Sequence, residues 1–136
     1  MVAVGLGDTA MLILFAALGR DSHQSVSAQG PVIGTINTAV PFVVSWLVVG
    51  AISGAFTGKA MFPIGRVIWR TLLAAILAAP LGVVLRSALR AGPELQFFEI
   101  QWSFMGVATG VTAGLLLAWR LFWSRLRRLW WPELPF

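Results

Sequence analysis

Four long apolar runs, at about residues 2–18, 32–55, 64–85 and 100–121, are separated only by short polar breaks at about 19–30, 56–63 and 86–99. A hydrocarbon core of about 30 Å takes roughly 20 apolar residues of helix to cross, so each run is long enough, or nearly so, to span. Inside lipid every backbone polar group must pair within the protein, which leaves helices and closed barrels. These runs are continuous rather than alternating, so barrel strands are excluded. The expected fold is therefore all-α: an integral membrane bundle of four transmembrane helices with an interfacial C-terminal helix, in one membrane domain over residues 1–136. Composition agrees, with 58% hydrophobic and 11% charged residues, against roughly 25% charged in an average soluble domain. Too little polar surface exists to cover a globule in water.

Lysines and arginines near the spans set orientation. With four spans, the N-terminus, the second loop and the tail share one side, which carries Lys59, Arg66, Arg70, Arg120, Arg125, Arg127 and Arg128, while the other side has Arg20, Arg86 and Arg90. Seven against three predicts a multi-pass protein of the cell membrane with both termini in the cytoplasm. The net charge of +5 then reads as topology, and nucleic acid is not expected as a partner. Residues 1–7 lack the basic region of a secretory signal, so the first run is expected to be kept as a span.

Two sets of glycines recur every four residues: Gly50, Gly54 and Gly58 at the end of the second run, and Gly106, Gly110 and Gly114 in the fourth. Four residues is close to one helical turn, so each set predicts a bare strip for close helix packing, within the chain or between chains. Pro41 and Pro80 fall inside the second and third spans, where each removes a backbone hydrogen bond and tends to kink the helix.

Asp8 is the first residue to examine for chemistry, because a carboxylate inside an apolar span is costly and by default marks a function. At 1.5 Å rise per residue it lies about 9 Å along the first span. Arg70 lies about as far along the third, so the expected intramembrane ion pair is Asp8 with Arg70. Such a pair can act as a structural clamp or a proton or cation site, but a permanently charged arginine opposes proton cycling.

On the opposite side, Arg20, Asp21, His23, Arg86 and Glu99 form a second polar group in which Arg86 and Glu99 could pair across a loop. In the tail, Trp119, Phe122, Trp123, Leu126 and Trp130 repeat at helical spacing while Ser124, Arg125, Arg127 and Arg128 occupy another face, and Trp131 closes the run. Tryptophan at headgroup level with arginine facing anionic lipid is the pattern of an interfacial anchor. Cysteine is absent and histidine occurs once, so no metal centre is expected. No phosphate-binding glycine loop and no nucleophile with a plausible base occurs, so no catalytic residue is assigned and an enzyme is not expected.

Gly7 and Asp8, the stretch LFAALGRDSH ending at His23, TAVPF followed by Ser45 and Trp46, APLGVVLR ending at Arg86, and AWR at 118–120 together cover nearly the whole chain. In order and spacing they resemble a family of small four-span membrane proteins of bacteria and archaea, domain of unknown function 3054. That family usually has glycine where Ser45 stands. The resemblance implies a four-helix membrane fold and no particular activity.

The leading functional expectation is a non-enzymatic membrane protein that works through helix packing, as a small structural or assembly subunit of a larger membrane complex. The alternative is a small homodimeric proton-coupled transporter that uses Asp8. Expected partners are the lipid bilayer and other membrane proteins or a second copy. No cofactor is predicted. If the complex were photosynthetic or respiratory, grooves lined by Trp46, Trp69, Trp102 or Phe104 could contact pigments, quinones or lipids.

Overall fold

The computed structural model describes residues 2–22, 30–61, 63–91 and 102–130. Four helices account for most of them: α1 (Val2–Ser22), α2 (Pro31–Ile52), α3 (Ile64–Ala91) and α4 (Trp102–Trp130), with a short 3-10 helix at Gly58–Met61 between α2 and α3. All four are long and apolar enough to cross a membrane. At 1.5 Å per residue the 21-residue α1 is about 31 Å long and the 29-residue α4 about 43 Å. α2 packs on α3, α3 on α4, and α1 closes the ring by packing on both α2 and α4.

Side-chain size sorts the helix faces. The interior is built from small residues such as Ala74, Ala75, Ala78, Ala79 and Ala108, with a few larger ones, Leu12, Phe15, Phe42, Trp46 and Leu116. Large aliphatic side chains point outward instead, among them Leu6, Ile13, Val44, Val48, Ile76 and Leu77. A water-soluble bundle buries such residues; a lipid-facing one has no reason to, because lipid tails are as apolar as leucine. Small interior residues let the helices approach. Gly82 does so at one point, where an added Cβ would lie 2.7 Å from the Phe42 ring, and Phe42 in turn meets Phe15 edge-on at 5.1 Å.

Helix ends differ from the apolar runs for local reasons. α2 opens on Gly30 with Pro31 in its first turn, where the missing proline N–H costs nothing. It stops at Ile52 rather than near residue 55 because Gly54 takes φ 69°, a left-handed conformation natural to glycine. Ala55 N–H then bonds Gly50 O at 2.8 Å and Gly54 N–H bonds Ala51 O at 3.2 Å, the paired bonds of a Schellman cap. α2 and α3 run unbroken through Pro41 and Pro80. The basic aromatic tail, expected as an interfacial helix, continues α4 without interruption to Trp130.

Candidate functional site: a buried polar junction

Asp8 on α1 is wholly buried, and so, to within 1% of its surface, is Arg120 on α4. Their side chains meet side-on: Arg120 Nη2 donates to Asp8 Oδ2 at 2.6 Å and Nε to Oδ1 at 3.1 Å. Trp46 of α2 donates its indole N–H to Asp8 Oδ2 at 3.1 Å. The remaining guanidinium nitrogen, Nη1, donates to Ala55 O at 2.9 Å, the carbonyl that the Gly54 turn presents. Aromatic faces complete the enclosure, with the guanidinium carbon 5.0 Å from the Trp46 ring and 5.5 Å from the Phe56 ring. Charge-assisted, two-point bonding of this kind is the strongest hydrogen bonding available to a protein, and cation–π attraction grows as water is removed.

Close approach of α1 and α4 makes this reach possible. Gly7 lies directly under the indole of Trp119, so that a Cβ there would overlap the ring. Trp119 also donates to Val4 O at 3.3 Å. Gly7 facing Trp119 and Asp8 bound to Arg120 are thus consecutive pairs in one helix seam.

The ion pair of Asp8 with Arg70 does not form. Arg70 donates from Nη1 to Ser53 O at 3.0 Å and to Gly54 O at 3.2 Å, filling the space left by the missing Gly54 side chain. It satisfies carbonyls at the end of α2, which a helix leaves unpaired. Equal depth along two spans does not bring residues together when the helices are diagonal, and α1 packs on α2 and α4. Arg120 was counted from sequence as an orientation charge at the edge of the fourth span. Its neighbour Trp119, matched to Gly7 beside Asp8 on an antiparallel helix, was the signal that could have placed it.

Other expected groups divide. Gly50, Gly54 and Gly58 do not form one helical strip: Gly50 faces the Phe56 ring, Gly54 makes the turn, and Gly58 opens the 3-10 helix. Gly106, Gly110 and Gly114 do form a strip, on the outer face of α4, with open space where each Cβ would stand. In the tail, Arg125, Arg128 and Trp130 are exposed while Trp119 stacks near Trp123 at 5.7 Å, and Trp131 lies outside the described residues. Of the opposite-side group, Arg86 stands 5.8 Å over the Phe104 ring; the side chains of Arg20, Asp21, His23 and Glu99 lie outside the described part. Trp46 faces the junction rather than a groove, whereas Trp69 and Trp102 are exposed.

Chemically the junction is closely held. Both carboxylate oxygens are bonded, all three guanidinium nitrogens donate, and every member is shielded from solvent. It ties four segments together. When the sequence is compared with known proteins, the model of one family, described as a protein of unknown function (DUF3054), matches residues 5–123. No curated protein and no solved structure matches.

Proposed function

The chain belongs to that family of unknown function, a multi-pass membrane protein by its four apolar helices, and from this premise we propose that it serves as a small non-enzymatic subunit that assembles laterally with another membrane protein. The observation that carries the reading is the outward strip of Gly106, Gly110 and Gly114, exposed and unfilled by any of the described residues. Helices in lipid associate through small residues that let backbones touch, and this strip lies on an exposed face in the first half of α4. The basic end of the bundle, with Lys59, Arg66, Arg125, Arg127 and Arg128, supports a cytoplasmic placement of both termini in a cell membrane.

Transport through Asp8 has less support. A carrier carboxylate must exchange its ligand, and Asp8 is held on both oxygens by Arg120 and Trp46. The test is purification in mild detergent of the natural protein and of Gly110→Leu, with identification of what travels with each. Because no described residue stands within 4 Å of the added Cβ and glycine is a poor helix former, the variant unfolds no earlier than the natural protein. It loses at least tenfold of the co-purifying partner. A protein that runs alone whether or not Gly110 is replaced overturns the proposal.

A further inference from the structure

The outer face of α3 carries a stripe that neither the ion pair nor the glycine strip uses. Arg66, Trp69, Leu73, Ile76 and Leu77 are all exposed, and their spacing places them on one side of the helix. At the head of the stripe Arg66 Nη1 donates to the backbone carbonyl of Lys59 at 3.1 Å. That bond ties α3 to the 3-10 helix that carries the exposed Lys59, so two basic residues lie in adjoining segments at the head of an apolar track.

Depths along the stripe match the layers of a leaflet. Trp69, 67% exposed, lies about 4.5 Å along the helix from Arg66, Leu73 about 6 Å beyond it and Leu77 about 12 Å beyond it. Half of a hydrocarbon core is about 15 Å. Tryptophan favours the boundary between headgroup and chain, and that is where Trp69 falls, between the cations and the aliphatic residues.

We propose that Lys59, Arg66 and Trp69, with Leu73, Ile76 and Leu77, form a binding site for a single anionic phospholipid. The phosphate sits beside Lys59 and Arg66, the Trp69 indole lies at the ester level, and an acyl chain follows the aliphatic stripe. Charge selects this occupant over a zwitterionic lipid, since each basic residue near the surface strengthens binding of an anionic headgroup about fivefold.

Native mass spectrometry of the full chain, offered equimolar phosphatidylglycerol and phosphatidylcholine, reads this preference directly. The natural protein retains phosphatidylglycerol preferentially. Neutralising both cations with Lys59→Gln and Arg66→Gln lowers the preference on the order of twentyfold, Lys59→Arg keeps it, and Arg125→Gln with Arg128→Gln changes it less than about twofold. Lys59→Gln alone guards against misfolding, because its backbone carbonyl still accepts from Arg66; it costs about fivefold in preference. In vesicles, phosphatidylglycerol with brominated chains quenches a larger share of fluorescence in the natural protein than in Trp69→Phe. Equal retention of the two lipids overturns the site. So does a preference that survives loss of both cations, or one that disappears only with the α4 arginines.

Discussion

Asp8, Arg120, Trp46 and the carbonyl of Ala55 form one buried set in which both carboxylate oxygens accept and each guanidinium nitrogen donates. Taking either charge away strands the other out of water, which in buried pairs costs about 3–5 kcal/mol. Asp8→Asn and Arg120→Met should each destabilise by that order in a denaturant titration in mixed micelles. The double variant Asp8→Leu with Arg120→Met should lose far less than the sum, because an apolar pair needs no partner. Arg70→Met should cost about 1 kcal/mol, the scale of a lost hydrogen bond, and add independently to Asp8→Asn. Strict additivity of Asp8 with Arg120, or coupling of Asp8 to Arg70, would contradict the geometry. From sequence, Asp8 stood out because an acid in an apolar run is rare, but its partner did not. Depth can be counted along a chain; the side of a helix that faces a given neighbour depends on how the bundle closes.

Between elements, the decisive contact is the α1–α4 seam, and it is set by the absence of a side chain. Gly7→Ala drives a methyl into the Trp119 ring, and overpacking of this kind costs about 1–3 kcal/mol. Gly5→Ala, where a Cβ meets nothing within 4 Å, should be neutral or stabilising by up to about 1 kcal/mol, since glycine is a poor helix former. Unfolding both variants in the same micelles separates the two effects, and equal losses would show that the seam is not tight at Gly7. The number and approximate extent of the spans were legible because they follow from run length alone. Helix ends were not: α2 ends where Gly54 turns left-handed, and α4 runs on to Trp130 because WRLFWSRLRRLW keeps helical spacing after apolarity fades. Glycine strips were legible as patterns but not as contacts. One broke at a turn, and the other faces outward.

For the whole molecule, the ring of four helices puts the N-terminus of α1, the α2–α3 connection and the C-terminus of α4 at one end. The absence of cysteine makes this end easy to locate in cells. A cysteine at Lys59 should be shielded from an impermeant maleimide applied to intact cells and labelled once they are opened; labelling from outside would invert the proposed orientation. The same topology has a temporal side. Asp8 and Arg120 lie 112 residues apart, and a ribosome adding about 5–20 residues per second makes the second on the order of ten seconds after the first. Until α4 is made, Asp8 lacks the guanidinium that pairs with it in the folded chain. A chain cut short before Arg120 therefore leaves in α1 a carboxylate whose partner was never made.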